Sequence, residues 1–260
     1  MRKLRIVCLA VAGIMVFTAI ALAAQENTYT VSGGVKPTKI GTKKKPTPVS
    51  LDFDYTVGEK SGKRPALIDQ YDIFFENGQV NTKYFPVCSA AKIDQDQTDA
   101  NCPKGSLMGQ GNVENNAGQT ANEADKPDAL KCHLDLKIYN AGNQHAALYL
   151  KGGPADPRGP AKSCPLDVNK AIDATFVKRA TGTSLVFDVD ETLLHPAPGI
   201  DNAVVQVNST IRKATKKVKG KTRGFFESAG KCRNGKSGIK VTFRQVDGSK
   251  QTVSTTGKCT

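Results

Sequence analysis

The sequence predicts an all-β protein built from antiparallel strands, and three observations lead to this prediction. Apolar and polar residues alternate along residues 49–57, which is the pattern of a strand with one buried face. Turn-forming pairs such as Asn77-Gly78 and Asp247-Gly248 separate many short runs of this kind. Long amphipathic helical patterns do not occur in the chain. Together these features favour an antiparallel β-sandwich.

The first residues have the layout of a cleaved secretory signal. Arg2, Lys3 and Arg5 precede an apolar run over residues 6–22, and the small residues Ala23 and Ala24 follow it. A transmembrane anchor is the alternative, but the run is short and no basic stop-transfer cluster follows it. We expect residues 1–24 to be a signal peptide, residues 25–48 an extended polar arm, and residues 49–260 one sandwich domain.

Cysteine usage predicts disulfides. The chain has seven cysteines, and Cys8 lies in the apolar run that signal cleavage would remove. The others form an even set in a chain bound for an oxidising compartment. Zinc binding is the alternative use of these thiols, but no Cys-x-x-Cys spacing is present. The order of the cysteines favours pairing between neighbours: Cys88 with Cys102, Cys132 with Cys164, and Cys232 with Cys259.

Strands are predicted along most of the chain. The arm contains one candidate strand at residues 28–32, and residues 89–94 are a short helix or a loop. Residues 115–128 are rich in Asn, Gly and Asp and predict a loop, while prolines and glycines exclude a regular element from residues 152–164. Further strands are predicted at residues 68–75, 80–85, 108–113, 130–139, 145–150, 171–178, 184–190, 203–211, 223–227, 238–246 and 251–254. The whole is compatible with a jelly-roll or immunoglobulin-like sandwich stapled by disulfides.

The net charge of +13 is concentrated in the last quarter of the chain. Residues 202–260 contain many lysines and arginines but only Glu227 and Asp247 as acidic residues. Such a surface on an exported protein attracts anionic envelope polymers or lipid head groups, and the alternative is a solvated strand face that serves solubility. Apolar and polar residues alternate poorly along residues 211–221. These residues form either an exposed edge strand, whose lysines prevent pairing with another chain, or a loop. The candidate polymer-binding residues are Arg212, Lys213, Lys216, Lys217, Lys219, Lys221 and Arg223.

Residues 185–194 carry the one pattern that is typical of an enzyme. An apolar strand leads into Asp188-x-Asp190-x-Thr192, which resembles the first motif of haloacid-dehalogenase-like phosphatases. The resemblance implies that Asp188 accepts the phosphoryl group and that Asp190 is the general acid, with Mg²⁺ between carboxylates. The chain departs from that family because Pro196 and Pro198 exclude the helix that should follow, and because no second acidic cluster occurs downstream. We interpret the match as coincidental, and the phosphatase stays the alternative.

Two weaker patterns do not predict a site. Asp94, Asp96 and Asp99 begin like a calcium-binding loop, but Asp99 stands where that loop requires glycine. The three histidines are scattered, and no nucleophile elbow accompanies them. The sequence therefore predicts no catalytic residue, no metal site and no cofactor.

Several blocks of the chain resemble a group of uncharacterised secreted bacterial β-sandwich proteins. They are Phe85-Pro86-Val87-Cys88, Cys102-Pro103-Lys104-Gly105-Ser106 with Gly109 and Gly111, Leu194-His195-Pro196 with Gly199-Ile200-Asp201-Asn202-Ala203, and Gly224-Phe225-Phe226-Glu227-Ser228 with Cys232 and Cys259. The resemblance implies export, a sandwich and bridges between neighbouring cysteines, and it brings no activity or ligand.

These observations predict a secreted, non-catalytic structural or binding protein of the cell envelope or exterior. We expect its partners to be anionic envelope polymers or another surface protein, without specific nucleic-acid binding. After signal cleavage no transmembrane segment is expected.

Overall fold

The computed structural model describes residues 26–119, 130–159 and 162–260. The predicted signal at residues 1–24 and the part of the predicted loop at residues 120–128 lie outside these ranges. Within them the chain is dominated by antiparallel strands, so the prediction of an all-β fold is confirmed. None of the described helices is long and apolar enough to cross a membrane.

Most of the described residues belong to strands, which follow one another with short connections. The strands are β1 Asn27–Lys36, β2 Thr47–Pro48, β3 Ser50–Glu59, β4 Ile68–Glu76, β5 Gly78–Val80, β6 Leu107–Gln119, β7 Leu130–Gly142, β8 His145–Gly152, β9 Val168–Arg179, β10 Gly182–Asp188, β11 Ile200–Ile211, β12 Thr215–Val218, β13 Lys221–Gly224, β14 Phe226–Ser228, β15 Lys236–Gln245 and β16 Lys250–Lys258. The helices are α1 Ala90–Asp96 and α2 Glu191–Leu194, and a 3₁₀ turn covers Thr82–Tyr84.

Eleven of these strands form one large sheet. Their order is β1-β3-β11-β6-β7-β8-β9-β10-β4-β15-β16, and every neighbouring pair is antiparallel. The sheet curls until its edge strands β1 and β16 lie side by side. A Cβ added to Gly257 of β16 would lie only 3.1 Å from the Cα of Gly34 in β1. The predicted sandwich is therefore observed as a single, nearly closed sheet instead of two clearly separate layers.

The two smaller sheets lie at one end of the curled sheet. β12 and β13 form a two-stranded ribbon, and β2, β14 and β5 form a three-stranded sheet. Phe225 and Phe226 belong to the core, where their rings make edge contacts with Phe176 and Phe75 at centroid distances of 6.1 and 5.7 Å. These two phenylalanines therefore fill this end of the interior.

The core follows directly from the alternating pattern of the strands. β3 places Leu51, Phe53, Tyr55 and Val57 inside the curled sheet, and none of them is more than 5% exposed. Burying a side chain of this size contributes about 1.5–3 kcal/mol relative to leaving it in water. The pattern that predicts the strand thus also supplies the apolar interior.

A second apolar cluster lies on the outer face, where α1 covers β7, β8 and β9. Ile93 of the helix packs against Tyr139, Ala147 and Tyr149. The helix begins after Ser89, whose hydroxyl accepts a hydrogen bond from the backbone of the third helical residue at 3.2 Å. The uncertain helix at residues 89–94 is therefore a genuine helix.

The three predicted disulfides are confirmed. The Cα–Cα distances are 5.4 Å for Cys88–Cys102, 4.0 Å for Cys132–Cys164 and 5.9 Å for Cys232–Cys259. Each bond joins cysteines that are neighbours along the chain, as their order indicates.

The prediction of a loop that begins at residue 115 is wrong for residues 115–119. Those residues continue β6, which is paired with β7 on one side and with β11 on the other. Backbone hydrogen bonds to two neighbours hold the segment although its side chains are polar, so tertiary pairing overrides the local preference for a turn.

Candidate functional site

Basic residues are concentrated at the end of the molecule that Phe225 and Phe226 fill. The antiparallel registers bring residues 36–50, 76–84, 178–182, 212–236 and 258–260 to this end. Only Glu76 and Glu227 are acidic in these segments. We call this region the basic end, and its cations are Lys36, Lys39, Lys43, Lys44, Lys45, Lys83, Lys178, Arg179, Arg212, Lys213, Lys216, Lys217, Lys219, Lys221, Arg223, Lys231, Arg233, Lys236 and Lys258.

The predicted polymer-binding segment forms the ribbon of β12 and β13 at the basic end. Its turn is made by Lys219 and Gly220, whose φ angles of 47° and 75° lie in the left-handed region that glycine readily adopts. Six of the seven predicted residues are exposed, and within the described ranges they form no ion pair: Arg212, Lys213, Lys216, Lys217, Lys219 and Lys221. The ribbon therefore presents positive charge that no neighbouring carboxylate neutralises.

Arg223, the seventh predicted residue, is engaged inside the protein. Its guanidinium donates to both carboxylate oxygens of Glu227, at 3.1 and 2.9 Å. Glu227 is fully buried and also accepts a hydrogen bond from the backbone of Gly224 at 2.8 Å. The guanidinium carbon of Arg223 lies 5.8 Å from the centre of the Tyr84 ring. Arg223 therefore anchors the base of the ribbon and does not offer an unpaired charge.

A cleft of about 1050 Å³ continues the positive surface beyond the ribbon. Asn81 lies between the two features, because it lines the cleft, accepts from Arg223 at 3.3 Å and donates to the Gly224 carbonyl at 2.8 Å. Arg179 in the cleft is paired with Asp72 at 2.8 Å. The cationic lining residues are Lys43, Lys178, Arg179, Lys231 and Arg233.

Sequence reasoning missed these cleft residues. They come from three separate segments of the chain, namely the β1–β2 connection, the end of β9 and the β14–β15 connection, and the order of the strands brings them together. Lys43, Lys178, Lys231 and Arg233 form no ion pair among the residues that the structure describes. One feature of the sequence could have indicated this grouping, because each of these cations lies near a turn. In an antiparallel sheet alternate turns lie at the same end, so cations near such turns come together in space.

The opposite end of the curled sheet carries Asp188 and Asp190, the residues of the phosphatase-like motif. Asp188 accepts hydrogen bonds from Gln70 at 2.8 Å and from Arg244 at 3.2 Å. Asp190 caps α2 by accepting from the backbone and hydroxyl of Thr192, at 2.8 and 2.6 Å. The hydroxyl bond from Thr192 lowers the pKa of Asp190. Each carboxylate is thus held by its own donors.

The surroundings of this motif differ from those that the phosphatase resemblance implies. β10, which leads into the motif, is antiparallel to both β4 and β9, whereas the family requires parallel strands with crossover helices. The helix that follows covers only Glu191–Leu194. Within residues 26–119, 130–159 and 162–260, no group of three or more His, Cys, Asp or Glu is placed to hold a metal ion. This geometry lends the phosphatase hypothesis no support.

The three aspartates of the calcium-like pattern also have separate partners. Asp94 accepts from a backbone amide of β9 at 2.8 Å, and Asp96 pairs with Lys92 of its own helix at 2.9 Å. Asp99 pairs with Lys137 of β7. Asp94 and Asp99 therefore stabilise the contact between the α1 segment and the sheet, whereas the Asp96 pair lies within the helix.

Comparison with known proteins adds no relative. No protein-family model matches this chain, and no curated protein or solved structure matches it. The functional interpretation consequently depends on the charges, contacts and cavities of the chain itself.

Proposed function

We propose that this protein is a secreted, non-catalytic binding protein that holds an anionic polymer of the cell envelope at its basic end. The observation that supports this proposal is the exposed ribbon of unpaired cations beside a cleft that further cations line. The three disulfides support an oxidising compartment, and the signal-like pattern at residues 1–24 supports export.

Electrostatics favours a polymer over a single small anion. Two unit charges 4 Å apart in water attract by only about 1 kcal/mol, and salt screens them over about 8 Å at physiological ionic strength. One exposed lysine therefore binds one anion weakly. A flexible polyanion contacts several ribbon and cleft cations at once, and each further contact is intramolecular. The spread of the cations over two adjacent features matches an extended ligand.

The first test is salt-dependent retention on a sulfated-polysaccharide resin. A ribbon variant changes Lys213, Lys216, Lys217, Lys219 and Lys221 to Gln. A matched control variant changes the same number of exposed lysines away from the basic end to Gln: Lys60, Lys63, Lys151, Lys162 and Lys250. The two variants have the same net charge, so a difference between them reports on the position of the lysines. We expect the ribbon variant to elute at clearly lower salt than the control, because the ribbon lysines contact the resin together. Equal loss of retention in both would show that net charge alone is responsible, and would refute the proposal.

A competition assay distinguishes a polymeric ligand from small anions and from anionic lipid. Soluble polyphosphate should displace the protein from the resin at concentrations of phosphate units at which inorganic phosphate has no effect. A cleft variant with Lys178, Lys231 and Arg233 changed to Gln should require less polyphosphate for displacement. Binding to vesicles of anionic lipid without binding to polyphosphate would contradict a polymer ligand.

A further inference from the structure

An apolar cavity of about 110 Å³ lies inside the curled sheet. Apart from two tyrosines, its polar lining residues are Asn115, Asn202 and Ser209, and all its other walls are apolar side chains. The hydroxyl of Ser209 is already engaged, because it donates to the carbonyl of Phe53 at 3.0 Å. The cavity is therefore an apolar space with a small number of polar groups.

Three polar atoms of this cavity make no hydrogen bond of ordinary geometry: the hydroxyl oxygen of Tyr71 and the side-chain carbonyl oxygens of Asn115 and Asn202. The Tyr71 hydroxyl interacts with the hydroxyl of Tyr55, so the two Asn oxygens are the atoms without any partner. In the described part of the chain these are the buried side-chain polar atoms that lack a hydrogen bond of ordinary geometry, and all three belong to residues that line this one cavity. Because native proteins satisfy the great majority of buried polar atoms, this coincidence points to a ligand that supplies the missing bonds.

The polar atoms lie toward the end of the cavity that α2 covers. Asn115 of β6 lies opposite Val204, and Asn202 of β11 lies opposite Ala117, so the two amides are diagonal neighbours on the inner face. Asn202 also donates to the carbonyl of Leu193 in α2 at 2.9 Å. The half-buried apolar lining residues gather near the same helix and mark the approach from solvent: Phe187, Val189 and Val204.

We propose that this cavity binds a small aliphatic alcohol. The two Asn oxygens are acceptors only, so the ligand must donate, whereas the Tyr71 hydroxyl both donates and accepts. An alcohol hydroxyl donates its one hydrogen to one of the two Asn oxygens, accepts from Tyr71 and leaves its alkyl chain among apolar walls, so it satisfies one of the two oxygens that lack a donor. A carboxylate offers only acceptors and would place a charge against two carbonyl oxygens, and an alkane would leave both Asn oxygens without partners.

The volume sets the size of the alcohol. An apolar cavity of about 150 Å³ holds benzene, so 110 Å³ has room for about four or five non-hydrogen atoms. 1-Butanol meets this limit. In a series of primary alcohols, we expect affinity to rise about fourfold with each methylene until the cavity is full, and then to stop rising.

The test is an NMR titration of the full chain with 1-butanol and its isomer diethyl ether. The two compounds have the same atoms, but the ether cannot donate a hydrogen bond. We expect 1-butanol to bind five- to tenfold more tightly, with shifts at residues that line the cavity. Equal binding of the isomers would refute the assigned role of the Asn oxygens. A cavity that holds only water would give no saturable shift with either compound, and that result would overturn the whole proposal.

Two variants test whether Asn115 causes the tighter binding of 1-butanol relative to diethyl ether. Asn115→Leu removes one acceptor, so the advantage of 1-butanol over diethyl ether should fall at least threefold. Asn112→Leu changes the same type of residue on the outer face of β6 and should leave that ratio unchanged. The isomer comparison in the unmodified protein decides the proposal if either variant does not fold.

Discussion

Replacing Arg223 by methionine tests whether this residue supports the fold or belongs to the binding surface. The change removes the guanidinium but keeps an apolar chain of similar length beside Tyr84. Glu227, which is fully buried, then loses the partner that contacts both of its oxygens and keeps only the backbone amide of Gly224. An uncompensated buried charge is the physical consequence.

The expected loss of stability can be worked from this geometry. Removing one partner of a buried ion pair costs about 3–5 kcal/mol, and Arg223 is partly exposed, so we expect about 3 kcal/mol. Adding Glu227→Gln removes the uncompensated charge and keeps an acceptor for the Gly224 amide. The double variant should therefore recover most of the loss, and the cycle should give a coupling energy well above 1 kcal/mol.

Urea unfolding with the disulfides intact measures these differences by linear extrapolation. Lys221→Met is the matched control, because Lys221 is an exposed cation of the same ribbon with no ion pair among the described residues. It should change stability by less than about 0.5 kcal/mol. If Arg223→Met costs no more than Lys221→Met, the anchoring role is wrong and Arg223 belongs with the binding cations.

Four further changes have definite expectations. Replacing Cys232 and Cys259 by alanine opens a loop with a sequence separation of 27, and should lower the unfolding free energy by about 3.5 kcal/mol in urea. Asp190→Ala removes a helix cap and should cost about 1 kcal/mol at pH 7. Because the folded-state pKa of Asp190 lies below the unfolded value of about 3.9, its ionised form stabilises the fold above that pH, and the difference from the unmodified protein should shrink as unfolding is measured at progressively lower pH below 4. Asn115→Leu removes an acceptor that has no partner, and without ligand should raise the melting temperature, where a decrease would indicate that the amide is satisfied. Gly111→Ala would place a Cβ 1.9 Å from a carbonyl oxygen of β11, so its melting temperature should fall by several degrees.

Local patterns were sufficient to predict the individual strands and the disulfides. Residues 49–57 alternate because one face of β3 is buried, and this cause acts within a single strand. The cysteine pairs could be predicted because each joins neighbours along the chain. The ribbon cations could be predicted as a group for a similar reason, since they lie within twelve consecutive positions, residues 212–223.

Features that depend on the order of the strands could not be predicted in the same way. β4 lies between β10 and β15, and β11 lies between β3 and β6, so distant parts of the chain decide how the sheet curls. The cleft beside the ribbon is assembled by this order, and no local pattern links Lys43 to Lys178 or Arg233. Asn115 lies in an alternating strand like other buried residues of β6, and only the three-dimensional packing leaves its side-chain oxygen without a partner.

The two proposed sites occupy opposite ends of the curled sheet, so we expect a ligand at one site to have little effect on the affinity of the other. Phe225 and Phe226 separate the basic end from the interior, and neither of them lines the apolar cavity. The polar atoms of the cavity lie instead near α2, where Asn202 contacts Leu193. Phe176 is the residue that lines both the cleft and the cavity, so a polymer at the basic end meets the cavity wall at this side chain and lies away from the three polar atoms. Since allosteric coupling requires differential contacts, saturating polyphosphate should change the affinity for 1-butanol by less than twofold.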